Sequence, residues 1–499
     1  MVKLTGRRKE VLATVVTNLV LQAVTAACGF VLPPMVVRAF VSEVNGMVSS
    51  ITQFIAYLNI VEAGIGAAAV AALYRPLAEG DPDGVSGILS ATRLFYLRSG
   101  VAFTALVFAL SFAYPLVVGS QVDRATSGLM VLVLGITGAA EFFLIGKYRV
   151  LLTADRKTYV ISLAQVAAVV LNTCVAAVLI KAWFGILTVK LASALVYLSR
   201  YLWLSAYVRG QYDWADFRHE PDRAAVSQSR NALVHQIAGL VVFNSPLVLI
   251  TLFCSLKDAS VYTMYAMVFS AVSQMLGAFS NGMQSFFGES LARDAGERTA
   301  RLFGLYATLF FTVLAFVYSM AFVLITPFMS VYTGTLTDAE YVQPVLGLLF
   351  ALVGIANNLR NPAGQVINAA GHFRQTQWRA VVEDAINIAA SVAFTLWLGF
   401  RGVLIGSLCS YAYRTADMII YTNGRILKRD SLPSFAKIAA LGIVFGVAGV
   451  VLRGLLPECN AWGKWVLIAT VCGAILFLPA GAVGVFVMGK RKFLRQLLS

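Results

Sequence analysis

One stretch of the chain gathers side chains that could hold an anion. In IANNLRNPAGQVINAAG, Asn357, Arg360, Asn361, Gly364 and Asn368 stand at offsets of 3, 4, 7 and 11 from the first, which places them on one face of an α-helix. A guanidinium among carboxamides is a fixed cation that could meet an anionic ligand; the same stripe could also simply join this helix to a neighbour. Pro362 removes a backbone donor, so a break or bend is expected there, with carbonyls freed toward a cavity.

Four other segments carry comparable faces. An early one shows Asn18, Gln22, Thr25 and Gly29 ahead of Pro33-Pro34, and the next shows Gln53 and Tyr57 beside Asn59 and Glu62. In the second half, His235, Gln236, Gly239, Asn244, Ser245 and Pro246 open one segment, while Ser270, Gln274, Gly277, Asn281 and Gln284 or Ser285 line another. Small residues also let helices pack closely, yet matching positions in the two halves favour a shared lumen. Ionisable groups within apolar runs are costly and should face protein or water. Glu62, Glu141, Glu383, Asp384 and Asp417 are therefore candidates for ion coupling, although Arg414 and Asp417 at i,i+3 are expected to neutralise each other. Arg200 is expected to snorkel from a helix end, and His235 to be a packing residue.

No catalytic constellation accompanies them. The three histidines (His219, His235, His372) are scattered, no H-E-x-x-H or Gly-Lys-Ser/Thr loop occurs, and the longest outer loop, 328–342, offers only Asp338 and Glu340. The six cysteines form no C-x-x-C pair and read as small core residues. Neither an enzyme nor a metal or cofactor site is expected.

The elements that must position these residues follow from composition. Of 499 residues, 59% are hydrophobic and 13% charged, against about 25% charged in soluble domains. Mean hydropathy is +0.78, and unbroken apolar runs of the length a bilayer crossing needs recur almost to the end. The pattern excludes soluble and secreted folds and, lacking alternation, a β-barrel. An all-α polytopic membrane protein is expected, with fourteen helices near 11–37, 46–73, 93–118, 127–149, 159–180, 184–207, 233–255, 260–288, 301–327, 343–369, 380–398, 402–423, 437–456 and 464–488. The net charge of +15 then reads as basic connectors on one side of the membrane, not as a nucleic-acid surface. Connector cations divide about four to one, which places both termini in the cytoplasm. The basic N-terminus leads into an uncleaved first span.

The halves resemble each other. ADR at 154–156 aligns with AGH at 370–372, ALYRPLAEGD with SFFGESLARDAG, and Arg93-Leu94-Phe95 with Arg301-Leu302-Phe303, at offsets of 208 to 216. Two six-helix lobes related by a parallel repeat are expected, 1–215 and 216–430, followed by an added helix pair in 431–499.

The stretch FIAYLNIVEAGIGAAAVAALYRPLAEGD, with Glu62, Gly64, Gly66 and Tyr74-Arg75, resembles the polysaccharide-flippase (Wzx-type) branch of the multidrug/oligosaccharidyl-lipid/polysaccharide (MOP) exporter superfamily. NAAGHF at 368–373 and the six-plus-six plan are similar to that branch over roughly residues 10–430. The family includes members with two extra C-terminal helices. The resemblance implies a transporter of a bacterial cytoplasmic membrane that carries a polyprenyl-diphosphate oligosaccharide between leaflets by alternating access, for export of surface polysaccharide. It implies membrane lipids, a polysaccharide polymerase and glycosyltransferases as partners, and no nucleic acid. Guanidiniums would then serve the diphosphate, with Arg360, Arg38 and Arg75 as candidates, and amides and phenols the sugar hydroxyls. Lipid II flippases carry arginines on the lumen face of the first helix; here that face shows Asn18 and Gln22, with Arg38 only near its outer end, which argues against lipid II. The acids motivate an alternative, a cation-coupled multidrug or metabolite antiporter of the same superfamily.

Overall fold

The computed structural model describes residues 2–62, 65–222, 245–281, 283–293 and 297–488, and among them there is helix and no strand. The chain divides into two compact units, Met1–Ser260 and Val261–Ser499.

The first unit opens with α1 (Val2–Leu58) and a short 3-10 turn, Asn59–Glu62. It continues through α2 (Ile65–Glu79), α3 (Pro82–Val118) and α4 (Arg124–Ala140) to a π-turn, Glu141–Ile145. Then follow α5 (Gly146–Ala154), α6 (Thr158–Lys181), α7 (Ile186–Gln211) and a helical stretch at 245–253. Two of the expected spans meet inside α1 without a loop, at Val41, whose φ of 63° and ψ of 169° interrupt the helix. A β-branched residue there stores backbone strain on the order of 1–3 kcal/mol. The expected helix 46–73 is not continuous: it ends at Leu58 and resumes at Ile65, leaving Glu62 in the interruption. The interior is aromatic. Phe103 and Phe142 stand 5.0 Å apart, and Tyr96 lies 6.3 Å from Phe142. A Cβ at Gly146 would meet the Tyr96 ring at 2.6 Å, so glycine there is what lets that ring approach the helix.

The helix α8 (Leu256–Asn281) starts in the first unit and continues in the second. There follow α9 (Met283–Arg293), α10 (Glu297–Thr333), α11 (Pro344–Leu359), α12 (Asn361–Ala369), α13 (Phe373–Leu398) and α14 (Arg401–Tyr421). A π-turn, Thr422–Ile426, leads to α15 (Leu432–Gly454) and α16 (Trp462–Met488). The expected span 343–369 breaks at Arg360, where Pro362 fits the first turn of α12 because its missing N–H is not needed there. Phe350 on α11 stacks on Tyr265 at 5.8 Å and on Phe269 at 5.5 Å. Gly354 lets Tyr318 of α10 lie against α11, and Asn358 Nδ2 donates to the Tyr318 hydroxyl at 3.0 Å. The α13–α14 pair is equally close: Gly406 packs on Ser391, and buried Asn387 donates to Ser410 Oγ at 3.0 Å. Both α15 and α16 rest on α10, through Ser319 Oγ donating to the Phe445 carbonyl (3.0 Å) and Trp465 Nε1 donating to the Leu324 carbonyl (3.4 Å).

Eight described helices are long and apolar enough to cross a membrane: Ala13–Leu58, Pro82–Val118, Arg124–Ala154, Thr158–Lys181, Thr299–Thr333, Gln375–Leu398, Leu432–Gly454 and Trp462–Gly484. Of the other expected spans, 343–369 breaks at Arg360, α7 carries Lys190 and Arg200, and α14 carries Arg414 and Asp417, while most of 233–255 lies outside the described residues. The protein is an all-α polytopic membrane protein.

Candidate functional site

In the second unit, five charged side chains form an alternating chain across three helical segments. Arg360, at the α11–α12 break, donates to Glu383 on α13 and to Asn357 Oδ1 at 2.7 Å. Glu383 also meets Arg414 of α14, at 3.4 Å. Arg414 reaches Asp417 one turn on at 3.1 Å, and Asp417 accepts a second bond from Arg379 of α13. The order is Arg360–Glu383–Arg414–Asp417–Arg379. Both terminal guanidiniums lie over phenol rings, Arg360 over Tyr411 at 5.1 Å and Arg379 over Tyr421 at 5.0 Å. Tyr421 is in turn hydrogen-bonded to His372 Nδ1 at 3.0 Å. Arg379 Nε is buried with no hydrogen-bond partner. Glu383 is the most enclosed member, with its side chain 6% exposed. Asp384, half-buried, adjoins the chain and makes no ion pair among the described residues.

The first unit holds a shorter chain. Arg149 on α5 pairs with Glu62 in the 3-10 turn and, at 2.9 Å, with Glu141 in the π-turn. Tyr96 donates to Glu62 Oε1 at 2.7 Å, and Arg200 of α7 stands 3.8 Å from Glu141 Oε2. Both acids thus occupy departures from regular α-helix, where side chains are redirected and backbone groups freed.

Other residues singled out from sequence fall as follows. Asn18 accepts from Ser162 Oγ at 2.6 Å within the first unit, while Gln22 and Arg38 are exposed. Gln53 Oε1 is buried without a hydrogen-bond partner, and Tyr57 is part-buried. Exposed Arg75 pairs with Glu79 at 2.8 Å along the same helix. Asn361 donates to Asn358 Oδ1 at 3.1 Å; Asn368 and Gln274 are exposed. His235, Gln236, Gly239, Asn244, Gly64 and the side chain of Asn281 lie outside the described residues.

Sequence reasoning missed Arg149 and Arg379, which it counted as connector cations, and took Arg200 for a snorkelling side chain. Arg200 instead turns to Glu141, because a carboxylate within reach compensates a guanidinium better than a distant interface does. Spacing held part of the signal: Arg379 and Glu383 are i,i+4, and Glu141 and Arg149 are i,i+8, each pair on one helical face.

The comparisons with known proteins bear on the fold. No family model and no curated protein matches the chain. Among solved structures, it is similar to the lipid II flippase MurJ in an inward closed conformation, with a TM-score of 0.67 at 12% identity over 95% of this chain and 99% of that one. The chain has the MOP fold. A multidrug resistance MATE family transporter of the MOP superfamily, in an inward-facing conformation, gives 0.63 at 14% identity, covering 85% of this chain and 95% of that one. A MATE in complex with MaL6 gives 0.51 at 14% identity, covering 86% and 97%.

Proposed function

We propose that the protein is a transporter that moves a polyprenyl-diphosphate-linked oligosaccharide across the cytoplasmic membrane by alternating access, for export of surface polysaccharide. The observation that carries this is the arginine-ended chain of the second unit. Arg360 stands at a helix break flanked by Asn357 and Asn361, and the chain it opens runs through Arg414 to Arg379, with both terminal guanidiniums over tyrosine rings. Guanidinium forks suit a diphosphate, and neighbouring carboxamides suit sugar hydroxyls. In this mechanism the anionic cargo competes with Glu383 for Arg360, and Glu383 retains Arg414 when displaced. The fold shared with a lipid II flippase is in keeping with a lipid-linked cargo. Asn18 and Gln22 on the first helix, in place of arginines, favour an oligosaccharide other than lipid II.

On this reading both termini are cytoplasmic, residues 1–215 and 216–430 act as two lobes, 431–499 is an appended pair, and polymerase and glycosyltransferases act beside it in a bacterial envelope. Arg38 and Arg75 are proposed as secondary contacts for the diphosphate, and Gln53, Tyr57, Gln274, Asn281 and Asn368 as candidate contacts for the sugar hydroxyls.

The second reading, a cation-coupled multidrug or metabolite antiporter, draws on the five acids and on the fold shared with MATE transporters. It ranks lower because Glu62, Glu141, Glu383 and Asp417 are each held by an arginine, which leaves Asp384 as the one of the five with no ion pair among the described residues. The deciding experiment is mass spectrometry of lipid-linked intermediates in a deletion strain, together with its drug sensitivity. Accumulated polyprenyl-diphosphate oligosaccharide, relieved by the wild-type gene and not by Arg360→Ala, is the expected result. Unchanged intermediates with new drug sensitivity would overturn it in favour of the antiporter.

A further inference from the structure

At the end of the first unit where α2 gives way to α3, and where α7 ends, residues 212–222 fold back onto α3. The Asp216 N–H donates to Ser86 Oγ and the Asp222 N–H to the Gly87 carbonyl, both at 3.1 Å. This fold-back sets Phe217 among cations. Arg93 Nη1 donates to the Phe217 carbonyl at 3.3 Å, and Lys147 Nζ lies 5.6 Å from the Phe217 ring and 4.9 Å from the Tyr148 ring. Arg218 follows Phe217 directly in the fold-back, and Arg209 stands in the last turn of α7, from which the fold-back starts. Four positive charges from α3, α5, α7 and the fold-back segment therefore converge.

Their own carboxylates do not neutralise them. The local ion pairs, Lys157 with Asp155 at 3.0 Å and His219 with Asp83 at 3.9 Å, engage other cations, and none of the four meets a carboxylate among the described residues. Asp216 instead accepts from the Arg218 backbone N–H at 2.8 Å. Two aromatic faces offset part of the mutual repulsion but supply no net negative charge. Such a convergence of cations makes a place that an anion joins favourably. The mixture is also specific in kind, since three planar forks and one ammonium match the tetrahedral oxygens of a phosphate better than a single carboxylate.

We propose that Arg93, Lys147, Arg209 and Arg218 form a phosphate-binding site, which takes the phosphate of an anionic lipid headgroup or of a soluble phosphate compound. Arg209 and Arg218 are exposed and form its mouth, while Arg93 and Lys147 are part-buried and form its floor. The site shares no residue with the arginine-ended chain of the second unit and stands whether or not the cargo is lipid-linked.

The test uses the purified full chain in detergent, with native mass spectrometry for lipids and calorimetric titration for soluble anions. The probes are phosphatidylglycerol, phosphatidylcholine and pyrophosphate. Preferential retention of phosphatidylglycerol over phosphatidylcholine is expected, weakened about fivefold for each of Arg209→Gln and Arg218→Gln. Pyrophosphate binding with the same dependence, and no lipid preference, would support the site with a soluble source. Equal retention of both lipids with no pyrophosphate binding would overturn the proposal, as would unchanged binding in the doubly substituted protein. Both substituted arginines are exposed, so helical circular dichroism and monodispersity serve as the folding control; Lys147→Gln follows as a deeper test.

Discussion

The two units solve one problem differently. Each must hold guanidiniums among apolar helices, and each does so by alternating charges along a chain. In the first unit the order is Tyr96–Glu62–Arg149–Glu141–Arg200, so a phenol closes one end and two acids balance two bases. In the second it is Arg360–Glu383–Arg414–Asp417–Arg379, with a cation at each end and three bases to two acids among the paired groups. The first chain is balanced in charge, although it too ends on a guanidinium, Arg200. The second carries a surplus cation and keeps a guanidinium at each end, whose remaining donors can turn to a ligand. The acids of the second chain are also the more enclosed, Glu383 and Asp417 being 6% and 13% exposed against 21% and 19% for Glu62 and Glu141.

The sharpest way to break this comparison is to remove one acid from each chain. Glu383→Ala leaves Arg360 without a carboxylate and Arg414 with Asp417 alone, in an enclosed site, and should cost about 3–5 kcal/mol. Glu62→Ala leaves Arg149 its second acid and some access to solvent, so the loss should be about 1 kcal/mol. Thermal unfolding of the two variants in detergent measures both. Equal losses would mean that the two chains are enclosed alike and that the contrast is wrong.

Glycine substitutions test whether packing, as well as charge, holds the chains in place. Gly354→Ala drives a methyl group into the Tyr318 ring and disturbs the hydroxyl that Asn358 contacts. Gly146→Ala drives one into Tyr96 and so pushes its hydroxyl off Glu62. Each should cost about 1–3 kcal/mol, and thermal midpoints give the loss directly. If Gly146→Ala proves harmless, Tyr96 can yield, and the phenol does not close the first chain.

Arg360→Lys separates charge from geometry. It keeps the cation but loses the planar fork, so export, read as relief of lipid-linked intermediates in the deletion strain, should fall about tenfold, equivalent to roughly 1.4 kcal/mol. Arg149→Lys, in the charge-balanced chain, should leave export within about threefold of wild type. Equal defects would show that both chains serve the same step.

The helices were legible from sequence because a bilayer demands about 20 apolar residues per crossing, a signal that survives single-sequence reading. The break at Arg360 was legible through Pro362, whose chemistry is local. The interruption at Glu62 and the kink at Val41 were not, since neither position carries a proline to mark it. The ionic chains were half legible. Spacing along one helix relates Arg379 to Glu383 or Arg414 to Asp417, but no spacing says that α5 brings Arg149 to an acid 87 residues earlier. Arginines near helix ends are the hardest to read, because the same position permits snorkelling outward or reaching inward.

The smallest expected effect bears most directly on how the chains end. Tyr96 uses its hydroxyl, donating to Glu62, whereas Tyr411 uses its ring face beneath Arg360. Tyr96→Phe should therefore cost about 1 kcal/mol, since it strips one hydrogen bond from a carboxylate in a largely apolar setting. Tyr411→Phe keeps the face and its attraction for the guanidinium, so the change should stay within about 0.5 kcal/mol. Paired thermal melts would separate the two. A Tyr411→Phe loss as large as that of Tyr96→Phe would mean that the second chain, too, ends on a hydroxyl, and the guanidinium of Arg360 would then be as closed to an incoming anion as that of Arg149.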